Sequence, residues 1–341
     1  MKTIVKIEIA ILVLAILAAG ALCAINAGVL TLLEEPVVVD YEPLPIPTDP
    51  PVEMVEVEEA EPVLTQTEEE KTYEKTEKST GTTDLIATKY FVYDIRRGEY
   101  LQKLGDETEK LYPASITKLL TSYVVLQYMQ PDEEVVVGSA LDLVPEDSSV
   151  AGFKKGDKVT VDQLIGAMML PSGNDAAQVA AVATGRRIAQ NEDLSPGRAV
   201  AAFMEEMNVQ AKALGMENSH FVTPDGFHRD NHYTTMDDLV ILCRTVLAEP
   251  VILKYAGMAK TQEQIGDRTL EWENTNILLK EDWQYYMPNA IGLKTGYTDA
   301  AGGCLVSAFF EEDTLLLIGV FGSTPFTEDR YLDTVDIYNS I

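Results

Sequence analysis

Hydrophobic and polar positions change rhythm several times along the chain. Apolar residues fill positions 9–25 almost without a break ("IAILVLAILAAGALCAI") and continue past Asn26 to Leu33, behind Lys2 and Lys6. That run approaches the ~20 residues a helix needs to cross a bilayer. Positions 34–83 then lose every period and are rich in Pro, Glu and Thr, as in "PLPIPTDPP" and "VEVEEAEP". From 84 onward regular patterns return. "ATKYFVYDI" and "RRGEYLQKL" alternate at period two about Arg97-Gly98, which predicts a β-hairpin. "YPASITKLLTSYVVLQYM", Tyr112 to Met129, predicts an apolar helix from Ser115. "VTVDQLIGAMML" (159–170) predicts a helix with Thr160 as N-cap. "DAAQVAAVATG", "GRAVAAFMEEMNVQAKALG" and "TTMDDLVILCRTVLAE" predict three more helices, the second ending at Gly215. "AIGLKTGYT", "GGCLVSAFFE" and "DTLLLIGVFGS" predict three consecutive antiparallel strands, and "EDRYLDTVDIYNSI" a closing helix. Strands flank a helical middle, so the class is α/β (α+β), with one domain over 84–341.

Charge sharpens this division. The 341 residues carry a net charge of −29, and residues 34–84 alone hold 16 acidic and 3 basic residues. A one-sided charge with no period predicts a disordered, extended tether over 34–83. The acidity argues against nucleic acid as a partner, because phosphate recognition needs basic patches. Residues 1–33 predict an N-terminal membrane anchor or signal segment. Lysines precede the apolar run and acids follow it, which places the N-terminus inside and exports the rest. An uncleaved anchor is preferred to a cleaved signal, since no small-x-small site is clean.

The three cysteines, Cys23, Cys243 and Cys304, form no CxxC and no metal-ligand spacing with His. Cys243 and Cys304 allow a disulfide, but two buried free thiols fit the habits of free cysteine better. No metal or organic cofactor is expected.

Candidate chemistry starts at Ser115 and Lys118. Positions i and i+3 are neighbours on a helix face, so the pair reads either as an ordinary helix start or as a serine nucleophile beside a lysine base. A lone SxxK is weak. Here "SGN" follows at Ser172, Gly173 and Asn174, in a loop between predicted helices, and "KTG" follows at Lys294, Thr295 and Gly296 on a predicted strand. Each occurs once, in that order, and the set is specific. A serine hydroxyl is a poor nucleophile until a base takes its proton. The histidines, His220, His228 and His232, all lie in one segment away from the motifs.

SxxK, SxN and KTG in this order mark serine β-lactamases and penicillin-binding proteins. Together with "PASITKLLT", "MLPSGNDAA", "FVTPDGFHRDNHYTTMDDL", "NTNILL" and "KTGYTDAAGGCLVSA", they resemble the low-molecular-mass penicillin-binding proteins, specifically the D-alanyl-D-alanine carboxypeptidases of the S11 peptidase family. The resemblance covers nearly all of 84–341. It implies a β-lactamase/transpeptidase-like fold: an antiparallel sheet of about five strands flanked by helices, beside a helical subdomain, with the site in the cleft between them. It implies Ser115 as nucleophile, Lys118 as base and Ser172 as proton relay. Asn174 would hold a substrate amide, and Lys294 and Thr295 would meet the substrate carboxylate. The N–H groups of Ser115 and Tyr297 would form an oxyanion hole beside Gly296. Arg330 is a candidate second cation for the carboxylate, set against a solvated arginine at a helix start. His228, His232, Trp272 and Trp283 are expected to be structural. The implied substrate is a peptidoglycan stem peptide ending in D-Ala-D-Ala, with β-lactams as inhibitors, in the bacterial cell envelope.

Two other classes stay open at this point. A β-lactamase usually needs a glutamate that positions water, and no E-x-x-L-N segment is evident between 172 and 294. A non-catalytic scaffold is disfavoured by the intact motifs. Fewer than 50 residues follow Lys294, so the further β-rich domain and C-terminal anchor of many relatives are not expected, and the N-terminal segment would replace that anchor.

Overall fold

The computed structural model describes residues 85–311, 314–325 and 327–341. The readings of 1–33 as anchor or signal and of 34–83 as tether lie outside them. Along the chain come β1 (Lys89–Asp94), β2 (Glu99–Leu104), α1 (Thr117–Tyr128), β3 (Glu134–Val136), β4 (Lys158–Thr160), α2 (Val161–Met169) and α3 (Asn174–Ile188). Then follow α4 (Pro196–Ala213), α5 (Met236–Leu247), α6 (Pro250–Ala256), β5 (Lys260–Ile265) and β6 (Arg268–Glu273). The last elements are β7 (Ala290–Thr298), β8 (Gly302–Glu311), β9 (Thr314–Ser323) and α7 (Asp329–Asn339).

Five strands form one antiparallel sheet in the order β2-β1-β9-β8-β7. The predicted hairpin and the three predicted late strands are all in it, and β7, which carries Lys294, is an edge. Both sheet faces are covered. On β8, Cys304, Val306 and Ala308 join the core shared with the helices, while Leu305 and Phe309 join Tyr331 and Ile337 of α7. That is the period-two alternation of a strand buried on both sides. At the centre of the helical layer, α1 buries every residue from Thr117 to Ser122. Four of those six are polar, and each has a partner inside the protein.

Several elements differ from the sequence expectation. The helix expected from Ser115 begins as a 3-10 turn, Ala114–Ile116, with α1 starting at Thr117. The segment 159–170 divides between β4 and α2 at Thr160, which does cap α2. Its side chain accepts from Gln163 N–H, and the Gln163 side chain answers to the Thr160 N–H. The pairs β3–β4 and β5–β6 and the short α6 were not anticipated. Trp272 is buried and donates to the Ala151 carbonyl at 2.9 Å. Trp283, expected to pack, instead stands 40% exposed with the Lys280 ammonium near its ring. Cys243 and Cys304 are both free and buried.

Candidate active site

The turn that carries Ser115 is built by a tight chain crossing. Ala114 has φ +47°, a left-handed conformation that non-glycine residues rarely adopt. Its carbonyl lies against Gly226, where an added Cβ would sit 1.9 Å from the Ala114 oxygen. Thr117 Oγ1 donates to that same carbonyl at 2.8 Å and faces His232 Nε2 at 2.8 Å. His232 Nδ1 accepts from the Val222 and Thr223 N–H groups at 3.1 and 3.3 Å, so its proton is on Nε2. Burial pushes the His232 imidazolium down to about 4. His232 is a neutral brace for the turn, and His228 packs edge-on against Tyr112.

This turn presents Ser115 to Lys118, whose side chain is fully buried. Lys118 Nζ lies 2.8 Å from Ser115 Oγ, 2.7 Å from Asn174 Oδ1 and 2.8 Å from the Asp225 carbonyl. Burial lowers the lysine pKa to about 8, against the opposing pull of Asp225 and Asp175. In the neutral amine the partners sort themselves. The two carbonyl oxygens can only accept, so they take the two N–H groups. The remaining lone pair then points at Ser115 Oγ, the one partner that has a proton to give.

The second motif is placed by α3. Asn174 is the first residue of that helix rather than a loop residue, and its N–H donates to the Ser149 carbonyl at 2.7 Å. Asp175 ties the neighbouring loop down, accepting from the N–H groups of Ala151, Gly152 and Phe153 at 2.8, 3.0 and 3.2 Å. Ser172 is buried and left-handed at φ +62°. It lies two residues before Asn174, but the three contacts of Lys118 Nζ go to other groups.

The third motif comes from the sheet edge. Lys294 is 1% exposed, and its ammonium donates to the Thr295 carbonyl at 3.2 Å. Burial, then Lys118, then Arg330 hold its pKa well below the ordinary lysine value. Thr295 Oγ1 is paired with Thr275 Oγ1 at 2.6 Å, and the Thr275 carbonyl accepts from the Tyr331 hydroxyl at 2.6 Å. Gly296 lets β7 press on the Ser115 turn, since a Cβ there would sit 2.9 Å from the Pro113 oxygen and 3.1 Å from Ser115 N. Tyr297 is half-buried, and its hydroxyl donates to Asp299. Arg330, in the first turn of α7, donates from Nη1 to the Gly296 carbonyl at 3.1 Å, and its Nε is buried without a partner.

Ser115, Lys118, Asn174 and the KTG strand are thus gathered at one place. Sequence reasoning missed Asp225, which acts through a main-chain carbonyl, and Thr275 inside "NTNILL". Neither carries a side-chain signature of its role. Among the described residues no group of three or more His, Cys, Asp or Glu is placed to hold a metal ion.

Known proteins resemble this chain in sequence and fold. The family Peptidase_S11, described as D-alanyl-D-alanine carboxypeptidase, matches residues 74–324. The chain is 34% identical over 235 residues to the D-alanyl-D-alanine carboxypeptidase of Streptomyces sp. strain K15, covering 66% of this chain and 77% of that one. It is 28% identical over 226 residues to DacF of Bacillus subtilis, another D-alanyl-D-alanine carboxypeptidase, covering 64% of this chain and 54% of DacF. For DacA of Escherichia coli K12 the identity is 30% over 262 residues, covering 72% and 58%. The chain therefore spans little more than half the length of DacF and DacA. Among solved structures, the Streptomyces K15 DD-transpeptidase superposes with TM-score 0.67 at 29% identity, covering 76% of this chain and 98% of that one. Penicillin-binding protein D2 of Listeria monocytogenes, in its cefotaxime-bound form, gives 0.61 at 27% identity over the same shares. The fold is the α+β transpeptidase-like fold, and the chain belongs to the S11 family of D-alanyl-D-alanine carboxypeptidases.

Proposed function

We propose that the chain is a serine D,D-carboxypeptidase that removes the terminal D-Ala from peptidoglycan stem peptides through an acyl-enzyme on Ser115. The observation that carries this is the setting of Lys118: a fully buried amine 2.8 Å from Ser115 Oγ, whose two other partners are carbonyl oxygens that can only accept. Lys118 takes the Ser115 proton as Oγ attacks the carbonyl carbon of the penultimate D-Ala. The C–N bond breaks, and Ser172 relays the proton from Lys118 to the leaving D-Ala amine. Water then hydrolyses the ester and restores Ser115.

The other motif residues bind. Asn174 Oδ1 is engaged by Lys118, which leaves its Nδ2 for a substrate carbonyl. Lys294, Thr295 and Arg330 meet the terminal carboxylate, with Thr275 fixing the Thr295 hydroxyl. The close approach of Gly296 to Ser115 favours an oxyanion hole made from the Ser115 and Tyr297 N–H groups; one such donor is worth ~2.7–4 kcal/mol of barrier. A β-lactam imitates D-Ala-D-Ala and acylates Ser115. We place the domain at 84–341, in the cell envelope, carried on a tether (34–83) behind an N-terminal anchor or signal (1–33).

Intact-protein mass spectrometry of the full-length chain in detergent with benzylpenicillin, wild type beside Ser115→Ala, tests this. A lasting adduct of one penicillin mass on wild type alone is expected. Fast drug hydrolysis without an adduct would instead mean a β-lactamase. Neither adduct nor turnover in folded protein would leave a scaffold.

A further inference from the structure

Asp225 enters the proposed reaction through its carbonyl, but its side chain is equally placed. The residue is 1% exposed. Its Oδ1 accepts from the Phe227 N–H at 2.8 Å, and its Oδ2 accepts from Gln178 Nε2 at 2.9 Å. Gln178 stands one helical turn beyond Asn174 on α3, and i and i+4 share a helix face. One face of α3 thus gives Asn174 to Lys118 directly and Gln178 to the turn that supplies the other carbonyl held by Lys118.

Gln178 is 6% exposed, and its Oε1 is buried with no partner. A buried unpaired amide oxygen is destabilising, a cost that an apolar residue at this helix position would avoid. Its neighbours on α3, Ala176, Ala177, Val179, Ala180 and Ala181, are all small or apolar. The orientation of the amide follows from Asp225, because a flip would set Oε1 against the carboxylate.

We propose that Gln178 and Asp225 are a positioning pair for the lysine base. Their hydrogen bond fixes the Pro224–Phe227 turn whose carbonyl aims Lys118 at Ser115, and the Asp225 carboxylate supplies the field in which that lysine gains and loses its proton. This rests on the reading of Lys118 as the base. The charged groups that act on Lys118 are Asp225 from the turn and Asp175 from α3, both favouring the ammonium against its burial; Lys294 from β7 is itself held well below the ordinary lysine value by burial, by Lys118 and by Arg330. His232, on the other side of Thr117, is neutral above about pH 4.

The test is the second-order rate of acylation of the full-length protein by a fluorescent penicillin, from about pH 6 to about pH 10. It is run on wild type, Asp225→Asn and Gln178→Leu, with thermal unfolding measured alongside. Wild type should rise with a midpoint at about 8. In Asp225→Asn the midpoint should fall by about one pH unit. Gln178→Leu should lower the alkaline plateau about tenfold, because the turn is no longer held. A pair with only a packing role would lower the melting temperature and leave the midpoint in place. An unmoved midpoint in folded Asp225→Asn overturns the field, and an undiminished plateau in Gln178→Leu overturns the positioning. Should Leu prevent folding, Gln178→Met keeps the volume and carries the same test. If wild type is never acylated, the function proposed above fails, and this inference falls with it.

Discussion

Asn174→Asp changes an amide NH2 to an oxygen and puts a carboxylate where Oδ1 now lies, 2.7 Å from Lys118 Nζ. Both groups are buried, Lys118 fully and Asn174 at 7% exposure. An opposite charge at such range raises a lysine pKa by about 1–3 units. Starting from about 8, a shift of about two units takes it to about 10. At about pH 7.5 the neutral fraction then drops from about one in four to about one in three hundred, roughly seventyfold. Stopped-flow acylation by a fluorescent penicillin measures that loss directly. The variant also lacks the Nδ2 donor for substrate, which slows the reaction equally at every pH, so the profile separates the two effects: only loss of the neutral amine is recovered at high pH. Near pH 10 the variant should regain about half of its own plateau. If folded Asn174→Asp acylates at neutral pH within about threefold of wild type, Lys118 is not the proton acceptor.

Four further outcomes are expected. The His232 imidazolium is disfavoured in the fold (about 4, against 6.5 when unburied), so its contribution is complete above about 6.5 and lost as pH falls through about 4. Urea titrations should show about 3 kcal/mol of acid destabilisation that His232→Gln lacks. Gly226→Ala forces a Cβ onto the Ala114 carbonyl at φ +81°; it should lose at least about 2 kcal/mol of stability and most penicillin binding, and normal acylation would contradict the described crossing. Thr275→Val removes the 2.6 Å partner of Thr295 and should cut kcat/KM on a D-Ala-D-Ala peptide about tenfold, with acylation by penicillin lowered in parallel. Cys243 and Cys304 should resist iodoacetamide in native protein and react after unfolding. Burial raises their pKa values to about 12 and about 11, and rapid native labelling would show a more open core.

The parts of the fold that were legible are those whose burial leaves a period. β8 and β9 read as strands because both faces are covered, and α1 reads as a helix because Ile116, Leu119, Leu120 and Tyr123 follow one another at helical spacing. The β5–β6 hairpin did not, because "KTQEQIGDRTLEWE" buries only Ile265 and Trp272 and its alternation is one of polar residues. The start of α1 was placed at Ser115 because the turn before it depends on a left-handed Ala114, which is explained by Gly226, distant in sequence. The same distinction applies in the site. The roles proposed for Ser115, Lys118, Asn174 and Lys294 run through side chains whose types and spacing are visible in the chain. Asp225 holds Lys118 through a carbonyl that any residue would have. Gln178, set among alanines, reads as one more helical position until α3 meets the 224–227 turn.

The three-way anchoring of Lys118 also says when chemistry can begin. In an open chain Lys118 is an ordinary ammonium near 10.5, and Ser115 is a plain alcohol. Two of the anchors arrive from 56 and 107 residues downstream, and the burial that lowers the Lys118 pKa comes only with the packed fold. On the proposed mechanism the amine is made reactive by closure of the chain, and a molecule that has not docked α3 and the 224–227 turn is expected to be inert toward acyl donors. Covalent labelling by penicillin would count finished molecules, so that a refolding reaction followed by labelling reports completion of the tertiary structure instead of the growth of helix.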